Sequence, residues 1–206
     1  MISLSRLVGR LSFSGKFFLI GSMFFIPVAV LLFMIARNSL LQIATIDHEL
    51  EGLRVNDRLR TVLQQVQLHR GLTNSFLSGN SSLEPKIQEA NKHLDGLLAD
   101  KSVAATLQSL GVGAEWSQFE SGWLQVRDNW RNQSAPDNLK AHSGLVAQLL
   151  HLSDRVVDRS ELSLDPESES YHLQNLLFER LLPVTEQLAL ARGFGAGVAT
   201  RQQITQ

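Results

Sequence analysis

The feature that most constrains this chain is an apolar run near its start, FFLIGSMFFIPVAVLLFMIA, which extends from Phe17 to Ala36 without a charged residue. As an α-helix this run would be about 30 Å long, the thickness of the apolar core of a bilayer. A cleaved signal peptide normally has a shorter apolar region, and the following FMIARN lacks the small residues of a cleavage site. We therefore predict an uncleaved transmembrane helix over residues 17–36, with a kink at Pro27.

The charges around this run predict its orientation. Arg6, Arg10 and Lys16 precede it, whereas no acidic residue occurs before Asp47. Basic flanks stay in the cytoplasm, so residues 1–16 are predicted to be cytoplasmic and residues 37–206 to lie outside the inner (cell) membrane. In a Gram-negative bacterium that outer part would be periplasmic. No second run of this length follows, so the chain as given is predicted to cross the membrane once.

The outer part has the periodicity of α-helices. After the apolar run, apolar residues recur every three or four positions, from Ile43 through Leu53 and Leu63 to Phe76. The membrane helix is therefore predicted to continue to about Ser78, where SGNSS ends it. No segment shows the period-two alternation of a strand. The predicted fold is all-α, with one transmembrane helix that runs into an extracytoplasmic up-and-down helical bundle.

Capping residues and prolines predict the remaining helix boundaries. Ser82 is a predicted N-cap for a helix that reaches about residue 110 and breaks near ADKS. Ser134 and Asp165 are predicted N-caps of two later helices, the first ending near Leu162, and Pro183 is predicted to kink or end the second. Between them, a helix over about residues 114–131 carries a stripe that we predict to be core, formed by Trp116, Phe119, Trp123, Val126 and Trp130.

The residue types argue against an enzyme. Cysteine is absent, which excludes disulfides and thiolate chemistry, and the six histidines lack the spacing of a helical metal site. The G-x-G in RGFGAGVATR has no strand before it, as a phosphate-binding loop requires. The chain has 19 basic and 20 acidic residues, so nothing points to nucleic acid. We predict no catalytic site, no cofactor and no metal.

Two Arg-Gly pairs are the strongest functional signal. Arg70 precedes Gly71 in VQLHRGLTNS, and Arg192 precedes Gly193 in LALARGFGAG. Glycine inside a helix costs about 1 kcal/mol relative to alanine but permits close approach. An arginine beside such a gap offers a planar fork of donors to a small oxyanion. Two interpretations stay open: the two helices hold an anion between two guanidinium groups, or the arginines pair with carboxylates while the glycines ease helix packing.

These segments also resemble known sensor regions. QLHRGLTNSFLSG resembles the Arg-Gly helix of the nitrate- and nitrite-sensing domain of bacterial receptors. LSLDPESESYHLQNLLFERLLPVTEQLALARGFGAG is similar to a stretch of bacterial transmembrane sensors, especially methyl-accepting chemotaxis proteins and membrane-bound diguanylate cyclases. In the nitrate-sensing family charged residues commonly precede the Arg-Gly pair, where this chain has His69 and Ala191. The resemblance implies a ligand-binding site at Arg70 and Arg192, with His69, Gly71 and Gly193 beside them.

The sequence thus predicts the sensing part of a signal-transduction receptor, first of all a methyl-accepting chemotaxis protein, that binds a small anion such as nitrate or nitrite. Alternatives are the sensor of a diguanylate cyclase or histidine kinase, and a singly anchored helical protein that binds a partner helix. A homodimer is expected in each case. The helical pattern of GVATRQQITQ lacks a stop signal, which predicts that the polypeptide continues beyond Gln206.

Overall fold

The computed structural model describes residues 12–162, 172–173 and 176–201, and within these ranges all regular structure is helical. Short 3-10 turns cover Ser81–Leu83 and Trp130–Asn132, and a π-helical turn covers Leu176–Leu181. The α-helices are α1 (Phe13–Leu77), α2 (Glu84–Leu98), α3 (Lys101–Ser109), α4 (Gly113–Asn129), α5 (Ala135–Arg159) and α6 (Leu182–Arg201). The prediction of an all-α chain with a long apolar helix leading into a helical bundle is confirmed.

The chain divides into two compact units, and the first, up to Asp47, contains the apolar part of α1. The stretch Phe13–Leu40 is long and apolar enough to cross a membrane. Its large side chains, among them Phe18 and Phe33, are exposed and take no part in a protein core. One membrane-length helix near the start of the chain agrees with the predicted anchor, while its orientation stays a prediction.

The second unit, from His48 onward, is the helical bundle. Its core combines the buried face of α1 with α4 and α5, and it also receives Phe178 and Leu182. On α4 the aromatic stripe faces inward, with Trp123 and Phe119 fully buried. The prediction that this stripe is core is therefore confirmed. Arg127 on α4 binds Asp95 on α2 at 3.0 Å, and the Trp123 indole donates to the same carboxylate at 3.1 Å.

Most predicted helix boundaries within the described residues are confirmed, with two exceptions, the cap at Ser82 and the end of α5. Helix α1 ends at Leu77 because Gly79 adopts a left-handed φ of 116°, which lets the Asn80 amide donate back to the Ser75 carbonyl. Asp100 caps α3 after the predicted break, and Ser134 accepts from the Asp137 amide at the start of α5. Ser82 was predicted wrongly as a cap. It lies in a 3-10 turn and its hydroxyl donates to Asn80 Oδ1 instead.

Helix α5 ends at Arg159, earlier than the predicted Leu162. The Ser160 hydroxyl donates to the Val156 carbonyl oxygen at 2.7 Å, and Glu161 then takes a positive φ of 61°. This backbone reversal ends the helix without a glycine. The next predicted start, at Asp165, lies outside the described residues.

The helix is irregular just ahead of Pro183, where an interruption was predicted. The π-helical turn Leu176–Leu181 gives way to α6 at Leu182, and Pro183 is the second residue of that helix. Proline has no amide hydrogen, and its ring crowds the carbonyl one turn earlier. A wider turn before it relieves this crowding.

Candidate functional site

Arg70 lies inside the bundle. It follows Leu63 and Val66 at steps of three and four residues, and all three are buried on one face of α1. Only 2% of the Arg70 side chain is exposed. A guanidinium in that position must be neutralised and hydrogen bonded, because an isolated buried charge is very unfavourable.

Glu186 on α6 provides this neutralisation. Arg70 Nη1 donates to Glu186 Oε1 at 2.6 Å, and Nη2 donates to Oε2 at 3.0 Å. This two-point pairing matches the arginine fork to the plane of the carboxylate. Two further contacts complete the group: Gln67 Nε2 donates to Glu186 Oε2 at 2.8 Å, and Arg70 Nη1 reaches the Ser143 hydroxyl on α5 at 3.2 Å.

A buried histidine pair lies directly beside this ion pair. His142 Nδ1 is 2.8 Å from the Asn138 carbonyl oxygen, which can only accept, so Nδ1 carries the proton. In the neutral ring, Nε2 of His142 is then an acceptor, and it receives the proton of His69 Nδ1 at 2.7 Å. The His69 ring also makes an edge contact with Trp123 at a centroid distance of 5.0 Å.

Burial keeps both rings neutral. It lowers the pKa of His69 to about 3, with His142 as the second cause and the Asn91 side chain acting in the opposite direction. Burial also lowers the pKa of His142 to about 4; the hydrogen bond to Asn138 opposes this, and the Arg70 charge adds to it. Both groups are thus neutral hydrogen-bonding residues near pH 7.

Two more contacts extend the polar network. Asn138 Nδ2 donates to the Thr73 hydroxyl at 2.9 Å, which joins α5 to α1. Asn74 Nδ2 donates to the Gly193 carbonyl oxygen at 3.3 Å, which joins α1 to α6. Residues 67–74 of α1 are therefore connected to two other helices through side-chain hydrogen bonds.

The predicted site residues occupy different environments. His69, Arg70 and Gly193 are buried, whereas Arg192 is exposed on α6. Arg70 pairs with the Glu186 carboxylate, which agrees for this arginine with the interpretation that the arginines pair with carboxylates. A Cβ atom added at Gly71 or Gly193 would meet nothing within 4 Å, so neither glycine permits a close packing contact in the described structure. Whether these residues bind a ligand stays a prediction.

Glu186, His142 and Asn138 were not predicted from the sequence. A signal was present, since Glu186 follows the buried Leu182 by four residues and His142 precedes the buried Leu145 by three. A polar residue in phase with an apolar face indicates a buried polar contact. The other four histidines, His48, His93, His151 and His172, are exposed.

Metal binding finds no support in the described part of the chain, where no cluster of three or more His, Asp or Glu side chains could hold an ion. In comparisons with known proteins, no family model, no curated protein and no solved structure matches the chain. The described structure thus identifies only the class of protein, which is a helical bundle with a membrane-length helix and a buried polar network around Arg70.

Proposed function

We propose that the chain is the membrane-anchored sensing part of a bacterial signal-transduction receptor, of the methyl-accepting chemotaxis type, and that it binds a small oxyanion such as nitrate at Arg70. The observation that carries the proposal is the two-point pairing of a buried arginine with a carboxylate. Nitrate, like a carboxylate, is planar and presents two oxygens to the guanidinium fork. It could therefore replace Glu186 bond for bond.

This exchange would couple binding to a change in the bundle. Glu186 is on α6 and Arg70 is on α1, so their pairing holds two distant segments of the chain together. A bound anion would neutralise Arg70 and release the Glu186 carboxylate, which is too costly to leave buried without a partner. The ligand would thus favour an arrangement in which Glu186 has moved towards water. A receptor needs such a difference in affinity between two states.

The first test uses Glu186→Gln in the full chain reconstituted in lipid nanodiscs. The amide keeps the shape but leaves the Arg70 charge without its counterion, so an added anion no longer competes with a carboxylate. We expect nitrate to bind this variant about tenfold more tightly than the wild type, or better. Nitrate should also raise its melting temperature more than gluconate does at equal ionic strength.

Two further variants identify the site. Arg70→Gln combined with Glu186→Gln removes both charges together, which avoids a buried unpaired ion, and should lose nitrate binding while remaining folded. Arg192→Gln changes an exposed residue, so weaker nitrate binding there would report on the ligand and not on folding. Equal responses of wild type and Glu186→Gln to nitrate and gluconate would refute an anion site at Arg70.

The output of the receptor is tested separately, by sequencing the reading frame beyond Gln206. A second apolar span followed by long heptad repeats would support a chemoreceptor. A cyclase or kinase domain would assign the sensor to the alternative output. An immediate stop codon would favour the third class, a singly anchored protein that binds a partner helix.

A further inference from the structure

A cavity lies in the bundle beside the π-helical turn. Its volume is about 310 Å³. Its described lining comes from two segments, with Leu53, Asn56, Asp57 and Arg60 on α1 and Leu177, Phe178 and Leu182 on the π-helical turn and the start of α6. The lining is mainly apolar, and the volume is at the lower end of the range for small-molecule sites. The Arg70 network contributes no residue to this lining.

Of the polar residues in the cavity wall, Asn56 is the buried one. Only 3% of it is exposed. Its Oδ1 accepts from the Ser153 hydroxyl at 2.7 Å, which fixes the orientation of the carboxamide. Its Nδ2 is also buried and has no acceptor among the described residues. Buried donors are nearly always paired in folded proteins, so this unpaired amide on a residue of the cavity wall is the group that a ligand would satisfy.

Arg60 provides a second donor on the same side of the cavity. It lies four residues after Asn56, so the two side chains occupy one face of α1. Arg60 is exposed, and its Nη2 binds Asp57 at 2.6 Å. A guanidinium has five N–H donors, so this single contact leaves donors that can meet a ligand. The wall therefore offers an amide donor inside and, nearer to solvent, the remaining N–H donors of an arginine that is paired with Asp57 of the same wall.

We propose that this cavity binds a small monocarboxylate with an apolar body, its carboxylate accepting from Asn56 Nδ2 and Arg60 and its body contacting Leu53, Phe178 and Leu182. One carboxylate oxygen satisfies the buried amide, and the other faces the guanidinium. The apolar body fills the mainly apolar part of the cavity. This site is independent of the anion site proposed at Arg70.

An occupant would contact the helix that carries Glu186. Leu182 and Glu186 are four residues apart on α6, and both are buried. The π-helical turn supplies the facing wall, and such irregular turns are frequent at binding sites. The cavity is therefore placed to bind a ligand between α1 and the irregular start of α6.

Benzoate is the probe for the test, titrated calorimetrically into the full chain in nanodiscs, with empty nanodiscs as the blank. We expect saturable binding to the wild type. Asn56→Leu combined with Ser153→Ala removes the donor and its partner together, so no new unpaired group is created, and should weaken benzoate binding about tenfold. Arg60→Gln should also weaken it, but should leave the affinity for the neutral ketone acetophenone unchanged.

Matched controls keep the outcomes distinct. Arg58→Gln changes a neighbouring exposed arginine of α1 that does not line this cavity, and should not alter benzoate affinity. Benzoate binding should persist in the Arg70→Gln/Glu186→Gln double variant, and nitrate binding should persist in Asn56→Leu/Ser153→Ala. No saturable benzoate binding to the wild type, or equal affinity in the folded Asn56→Leu/Ser153→Ala variant, would overturn the proposal.

Discussion

His69 and His142 illustrate how single residues determine the polar interior. Each lies on the buried face of its helix, where an unpaired imidazole would be costly, and each finds its partner in the other. The carbonyl of Asn138 fixes one tautomer and thereby the direction of the hydrogen bond between the rings. Protonation of either ring would replace an accepting nitrogen with a donor or place a charge beside Arg70. The neutral pair is thus part of what stabilises the fold.

Stability should consequently fall in acid. In the folded chain the pKa is lowered to about 3 for His69 and about 4 for His142, whereas in the unfolded chain the histidine pKa is about 6.5. Below about pH 6.5 the unfolded chain therefore binds more protons than the folded chain. The stabilisation is complete above that pH and declines as pH falls from about 6.5 towards 4. The loss approaches about 1.4 kcal/mol per pH unit for each ring. Thermal melting of the chain in nanodiscs between pH 7.5 and about pH 4.5 measures it.

Two variants separate the histidine pair from other titrating groups. His142→Gln keeps a donor and an acceptor but cannot titrate, so its melting temperature should fall less steeply with pH than that of the wild type. The exposed His151→Gln should retain the steep wild-type dependence. Identical pH profiles for the wild type and His142→Gln would show that the pair does not control acid stability.

At the scale of the helices, local chemistry made most boundaries predictable. Ser134 accepts from a backbone amide of its own first turn, and Gly79 reverses the chain so that the Asn80 amide donates to the nearby Ser75 carbonyl. Such signals depend on neighbours in sequence. The end of α5 was not predictable in the same way, because Glu161 adopts a conformation that favours glycine. The packing that surrounds Ser160, which is fully buried, is not visible in the sequence.

The close packing that one interpretation gave to Gly71 and Gly193 is found in the described structure at Gly52 instead. A Cβ at Gly52 would overlap the Ser160 side chain, whereas one at Gly71 would meet open space. We therefore expect Gly52→Ala to destabilise the bundle by about 1–3 kcal/mol through overpacking. Gly71→Ala should stabilise it by roughly 0.5–1 kcal/mol, because alanine restricts the unfolded chain and suits a helix interior.

The comparison requires the unfolding midpoint of both variants in mild detergent at one pH. Because each change adds a single methyl group to the same helix, α1, any difference reflects the surroundings of the two positions. A loss of stability at Gly71→Ala comparable to that at Gly52→Ala would mean that something packs against Gly71, such as a second copy of the chain.

At the scale of the whole molecule, the sequence predicts the helices and their buried faces but not which residues pair between helices. Helical periodicity and the aromatic stripe of α4 were sufficient for an all-α bundle with a membrane-length helix. The Arg70–Glu186 pair joins residues 116 positions apart, and the Asn56–Ser153 pair joins residues 97 apart. Periodicity indicates that each such residue is buried, but several polar residues share that property. Only the folded arrangement selects which of them meet.

The proposed topology can be tested because the chain has no cysteine, so one introduced thiol is a unique label. Ser109→Cys places it at an exposed position in the bundle, and Ser5→Cys places it before the apolar run. If the basic flank stays in the cytoplasm, a membrane-impermeant maleimide added to intact spheroplasts should label Ser109→Cys and leave Ser5→Cys unlabelled until the membrane is permeabilised. The opposite pattern would place the bundle in the cytoplasm. Arg70 would then be inaccessible to an external anion, and the receptor proposal would fail even if nitrate bound the purified chain.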